Sequence, residues 1–228
     1  MALATLLLLT TSADADPEKV VAALGVGPDV RVLVRQPDLP ATRRGVPRAV
    51  PDLFGVACEL RHVDPGAAIT AFTGVAARLR GLVDTDRSAV LAGVDHELLA
   101  APDTDPGAPP AVLIYAMRRL PRLSHEDFTG YWLGTHADFG RVALARHGYR
   151  QVHADADRSA AVAAAAGVAI ADFDGCVVSA ARSWAVKDAD QQTPEKRAVG
   201  AAALADEDNF IDHTRSMTMR YEALLRTV

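Results

Sequence analysis

The sequence is short of cysteine, aromatic residues, lysine and long apolar runs, and each shortage narrows what the chain can be. Two cysteines, Cys58 and Cys176, stand far apart in strand-like contexts. They form no disulfide framework and read as small buried hydrophobes. No Cys/His cluster has zinc-ligand spacing, so no metal is expected. Aromatics make up only 5% of the residues, and the core must be built mainly from Ala, Val and Leu. Three lysines against 21 arginines suggest a GC-rich genome, not an arginine-based site. No apolar run reaches the 18 residues of a membrane span. The net charge of −5 has its acids and bases interspersed, with none of the basic patches that mark a nucleic-acid partner.

The opening MALATLLLLTTSADADP joins an apolar run to small residues. It lacks a basic start and the run is short, so it reads as a first strand, Ala4–Thr11, and not as a signal peptide. The expected compartment is the cytoplasm.

A Pro/Gly/Asp-rich joint, APDTDPGAPP (101–110), divides the chain into halves of about 1–104 and 108–228. The first half reads β-α-β-β-α-β. Its first helix has Asp16 as N-cap and Pro17 at the first helical position. VRVLVRQ alternates with period two. A four-proline loop precedes the strand FGVACELRHV, a helix over 66–83 and the strand SAVLAGVDHELLA. The second half repeats this order with one insertion. It has the strand AVLIYAMRRL, a helix from the N-cap Ser124 to the C-cap Gly148, and the strand YRQVHADA. The segment RSAAVAAAAGVAI follows, and then the strand FDGCVVSAARSW. A helix over 194–212, interrupted near Gly200, leads to the strand TRSMTMRYEALL. Two β-α-β-β-α-β units are two ferredoxin-like modules. The expected fold is therefore α+β, with two fused ferredoxin-like modules forming a pseudo-dimeric α+β barrel around a cavity. The first module is the degenerate copy. A further homodimer is left open.

The informative stretch is 111–141, AVLIYAMRRLPRLSHEDFTGYWLGTHADFGR. On a helical wheel Phe128, Trp132, Thr135, Phe139 and Val142 form an apolar stripe, with His136 at its edge beside Trp132. A half-buried imidazole tends to stay neutral and to accept a proton near pH 7. His136 is the candidate general acid/base. Trp132, Tyr131, Tyr115 and His153 are candidate substrate-binding residues. Arg118, Arg119 and Arg122 read as a solvated, salt-bridged loop, Asp174-Gly175 as a turn opening a strand with Gly free to take positive φ, and Asp206, Glu207 and Asp208 as acids starting a helix. His147 is placed in the last turn of its helix. There is no nucleophile elbow, P-loop or Rossmann fingerprint.

The segments LIYAMRRLPRLSHEDF, YWLGTHADFGR, DFDGCVVSA and DEDNFID resemble the EthD family of the dimeric α+β barrel superfamily, most clearly over residues 111–226. The resemblance implies half a barrel built from a ferredoxin-like module, with the family histidine falling on His136 and its tryptophan on Trp132. It implies an enzyme of EthD type, without metal or organic cofactor, acting on an apolar, aromatic or polyketide-like molecule by monooxygenation, cyclisation or dehydration. The alternatives are a non-catalytic carrier of an apolar metabolite and, as in some superfamily relatives, a haem protein.

Overall fold

A computed structural model describes residues 1–12, 15–35, 54–103 and 109–224. The four-proline loop and most of the 101–110 joint lie outside the described residues. In the first half β1 (Leu3–Thr11), α1 (Pro17–Leu24), β2 (Val30–Arg35), β3 (Val56–His62), α2 (Ala67–Phe72), α3 (Val75–Arg78) and β4 (Val83–Leu99) follow one another. The second half contains β5 (Ala111–Met117), α4 (His125–Tyr131), a π-helical turn (Trp132–His136), α5 (Ala137–Ala143), β6 (Tyr149–Ala154), α6 (Ala156–Ala166) and β7 (Ala169–Ile170). It ends with β8 (Gly175–Ala181), α7 (Trp184–Gln191), α8 (Pro194–Glu207) and β9 (Met217–Ala223).

Eight strands close into an antiparallel barrel in the order β1-β3-β2-β9-β5-β8-β6-β4, and β4 returns to β1. The first-half strands run β4-β1-β3-β2 and the second-half strands β6-β8-β5-β9. The halves join at two seams, β2 with β9 and β4 with β6. β7 adds a short parallel pairing to β4.

Period-two alternation sends one face of every strand inward. Leu6, Leu8, Leu91, Val112, Ile114, Val152, Cys176, Met219 and Tyr221 fill the lumen as one apolar cluster. The barrel is thus packed like a protein interior. At one end the lining turns charged. Glu59 joins Arg31 and Arg150, while Asp95 joins Arg150 and Arg61, around a cavity of about 290 Å³. Burial draws both Arg31 and Arg150 down to about 10. An apolar barrel cavity, as the sequence suggests, is therefore not what the described residues form.

Several boundaries differ from expectation for local reasons. The helix expected over 66–83 is broken where Gly74 takes φ +70°, leaving α2 and α3. The helix from Ser124 ends at Ala143, and Gly148 instead pairs its backbone with Ala180. Its start behaves as expected: Ser124 Oγ accepts from the Asp127 amide at 3.0 Å. α8 runs unbroken through Gly200, and α7 was not foreseen. The alanine-rich insertion becomes α6, which packs Val162, Ala163 and Ala166 into the helix-side core of the first half. Both cysteines are free and buried. Among the described residues no helix is long and apolar enough to cross a membrane.

Candidate active site

The chemistry-bearing residues of 111–153 gather on the outer face of the second-half sheet, under α4, the π turn and α5. On β5 the odd-numbered Tyr115 and Met117 face this layer while Ile114 and Ala116 face the lumen. Trp132, fully buried, packs with Phe128, Met117, Phe210 and Ile211. The His153 ring stacks on it at 4.7 Å and 25°, and His96 lies 4.5 Å beyond. His153 is held by Gln151 Oε1 at 3.0 Å.

The π turn decides where His136 points. In a regular α-helix Thr135 takes the inner stripe and His136 its edge. The wider turn over Trp132–His136 advances the register by one residue: Thr135 is exposed, and His136 and Ala137 are buried. π bulges of this kind recur at functional sites.

His136 Nδ1 lies 2.8 Å from Asp206 Oδ2, and Tyr131 donates its hydroxyl to Asp206 Oδ1 at 2.6 Å. Both side chains of the His–Asp pair are largely closed off, at 11% and 14% exposure. Phe210 and Phe139 flank the imidazole at 4.9 and 5.7 Å between ring centres. Burial pushes the imidazole below its ordinary pKa, and Asp206 opposes this only in part. For Asp206 burial pushes upward, but the hydrogen bonds from Tyr131 and His136 win and hold it below the usual carboxylate range. The bond to Asp206 holds Tyr131 protonated by raising its pKa. An ionised Asp206 sets the tautomer: Nδ1 carries the proton and Nε2 keeps its lone pair. Nε2 makes no hydrogen bond among the described residues.

Asp206 does not start a helix, as its acidic neighbours suggest, but lies near the end of one. Thr193 caps α8 and Pro194 opens it, so the acids 206–208 fall at its C-terminal end. The helix dipole disfavours acids there; what holds them is their partners. Asp206 takes His136 and Tyr131, Glu207 takes Tyr115 at 3.4 Å, and Asp208 takes His213 at 3.2 Å. Tyr115 also meets His213 at 3.1 Å. Asp206, Glu207 and His213 were the functional candidates missed. The Thr-Pro pair at 193–194 is the signal that would have found the helix start.

Tyr131 and His136 thus converge on one carboxylate. Trp132 and His153 form a stack beside them, and Tyr115 belongs to the neighbouring Glu207–His213 pair. Arg118 and Arg119 are clamped on the buried Asp174, and Arg122 caps the Asn209 carbonyl. Gly175 does not need positive φ. It is required by close approach, since a Cβ there would lie 2.6 Å from the Val152 carbonyl and 2.8 Å from the Trp132 ring. Gly175→Ala should cost about 1–3 kcal/mol, read by urea unfolding; a neutral substitution would show that Trp132 has room to move.

Burial also lowers the pKa of His147 and His153, His153 to about 3. Each of these histidines binds its proton less readily folded than unfolded, so stability is full above the unfolded value near 6.5 and falls with decreasing pH. His153 alone should remove about 2 kcal/mol at roughly pH 5. Denaturant melts at neutral and mildly acidic pH check this, and equal midpoints would contradict it.

Beside the pair, α5 and α8 leave a largely apolar groove of about 290 Å³ lined by Asp138, Phe139, Val142, Val199 and Ala202. Phe139 belongs to both: its ring lies 5.7 Å from that of His136, centre to centre, and it lines the groove.

Solved structures share the overall fold. A candidate monooxygenase from Lactobacillus acidophilus NCFM aligns over 98% of this chain and 93% of its own, at 6% identity and a TM-score of 0.52. An anthrone oxidase-like protein aligns over 98% and 92%, at 12% identity and a TM-score of 0.54. A candidate monooxygenase from Fusobacterium nucleatum subsp. nucleatum aligns over 97% and 91%, at 8% identity and a TM-score of 0.50. At such identities the likeness is one of fold. No curated protein matches the chain. Residues 120–214, which include the π turn, His136 and Asp206, match the model of the EthD domain family.

Proposed function

We propose that this chain is a small-molecule enzyme that needs no metal or organic cofactor and abstracts a proton from an activated C–H or O–H of an apolar, aromatic or polyketide-like substrate. The observation that carries the reading is the buried His136–Asp206 pair beside the apolar groove between α5 and α8. The substrate packs in that groove and against Phe139, not in the barrel lumen. His136 Nε2 takes the proton, and Asp206 orients the ring and stabilises the imidazolium that forms. Tyr131 completes the carboxylate's hydrogen bonding, while Trp132, His153 and Tyr115 support the site from the sheet side. In the same reading the barrel is a fusion of two ferredoxin-like modules within one chain, the first having lost the site. The β4-β1-β3-β2 and β6-β8-β5-β9 strand orders, equivalent around each module, support that fusion.

The chemistry is testable on anthrones, the substrate type that the name of the anthrone oxidase-like neighbour suggests, and on linear polyketones. Oxygen uptake and absorbance follow oxidation and cyclisation respectively. Turnover is expected, with kcat/KM rising through a pKa below the ordinary imidazole value, because the base must be neutral. Saturable binding without turnover of any such compound would replace the enzyme by a carrier.

A further inference from the structure

Arg118–Arg122, Asp174 and Asn209–Asp212 take no part in the proton transfer proposed above, yet the structure joins them. Asp174, just before β8, is 3% exposed. Its Oδ2 accepts from the Arg119 amide at 3.0 Å and from Arg118 Nη1 at 3.2 Å, and its Oδ1 accepts from Arg119 Nη1. His125 Nδ1, at the start of α4, lies 3.3 Å from Oδ1. Arg119 Nε donates to the Leu123 carbonyl at 2.9 Å. One buried carboxylate thus shapes the connection between β5 and α4, through charge-assisted bonds of the stronger kind.

That connection is zipped to the chain that follows α8. Leu120 N–H donates to the Phe210 carbonyl at 2.9 Å and Asp212 N–H to the Arg118 carbonyl at 2.7 Å, while Arg119 and Ile211 form an antiparallel bridge. Arg122 Nη2 donates to the Asn209 carbonyl at 2.7 Å. These residues stand directly behind Asp206. The Asn209 amide donates to the Asp206 carbonyl at 3.0 Å, and the Asn209 side chain hydrogen-bonds the Asp206 carboxylate. Phe210, whose carbonyl Leu120 holds, places its ring 4.9 Å from that of His136 and 5.2 Å from that of Tyr131. At its other end the connection enters α4, which carries Tyr131 and leads into the π turn with His136. Both sides of the His136–Asp206 contact therefore hang from one connection.

We propose that Asp174 and Arg122 are positioning residues for the His136–Asp206 pair. Through the 118–123 connection they hold the C-terminal end of α8, and with it Asp206 and Phe210, against the imidazole. The proposal rests on the reading of His136 as the base and names what keeps its partner in place. Helix ends fray unless their last carbonyls are held. Asp208 and Asn209, at this end, are exposed. Slack in the connection is therefore felt first at Asp206.

The test is a nitrogen-15 NMR titration of His136 in the native chain, Arg122→Ala, Arg122→Lys and Asp174→Asn, with a urea melt of each. Among the described residues Asp206 supplies the charge facing the ring, and it raises the imidazole pKa against burial. A slackened Asp206 therefore lowers the midpoint. Arg122→Ala removes one exposed side chain and should lower the midpoint by roughly half a unit, part of the ~1–3 units that a contacting charge supplies. Arg122→Lys keeps a donor and should restore most of the shift. Asp174→Asn leaves one acceptor oxygen where Arg118, Arg119 and His125 use two, and should lower the midpoint further. A purely structural tie moves the melt and not the ring. An unchanged midpoint in either variant would overturn the proposal for that residue, whatever its melt. Should Asp174→Asn fail to fold, Arg122→Ala decides. A native midpoint at or above the ordinary imidazole value would instead overturn the reading of His136 as the base, and the proposal with it.

Discussion

His136→Gln should lower turnover by roughly 10²–10⁴-fold while leaving the protein folded, because glutamine can still donate to Asp206 but cannot accept a proton in catalysis. The loss should fall on kcat and kcat/KM together, since the imidazole acts on the reacting proton and not on ground-state binding. Asp206→Asn should behave differently. Asp206 is a positioning residue that raises the His136 pKa and fixes its tautomer. Its replacement should move the acid limb of the pH–rate profile to lower pH and reduce kcat by a smaller factor. Thermal stability should also fall modestly, because Tyr131 and His136 bond different oxygens of the carboxylate and an amide offers only one acceptor oxygen. If Asp206→Asn left the pH profile in place, the carboxylate would only tie two helices together.

Trp132→Ala should have the largest effect on stability. The ring is fully buried, packs against Phe128 at 5.6 Å and stacks on His153 at 4.7 Å. Gly175 lacks a Cβ where the ring's edge presses on β8. Removing the ring leaves a cavity between sheet and helices that the rigid strands cannot close. A cost of about 3–5 kcal/mol follows, measured by denaturant unfolding. His153 would lose the aromatic face that keeps it dry, so its pKa should rise towards the ordinary value. A loss under about 1 kcal/mol would mean that the π turn repacks into the space.

The strands were legible because period-two alternation and runs of Val, Ile and Leu mark them. β1, β2, β3, β5, β6, β8 and β9 fall where the pattern puts them, and the double β-α-β-β-α-β order suggests the barrel. What the pattern could not show is which way a face points when both faces are apolar. Ile114 and Tyr115 look alike in sequence, yet one fills the lumen and the other faces the helices. The wheel placed His136 beside Trp132, but it assumed an unbroken α-helix. The π turn moved His136 inward and Thr135 out to solvent, and nothing in the short-range sequence signals it. The acids 206–208 read as a helix start by their charge, yet they end α8, and this conceals Asp206 as the partner of His136. That pairing spans 70 residues and depends on α8 crossing α5, which only the tertiary structure supplies.

The claim at the centre is that His136 sits as a neutral base with Nδ1–H held by Asp206 and Nε2 open. Nitrogen-15 NMR of the imidazole tests this without a substrate. In the native protein the shifts should report the Nδ1–H tautomer, and the titration midpoint should lie below the ordinary 6.5. In Asp206→Asn the midpoint should fall further. A midpoint at or above the ordinary value in the native protein, or an Nε2–H tautomer, would contradict the assignment of His136 as the base.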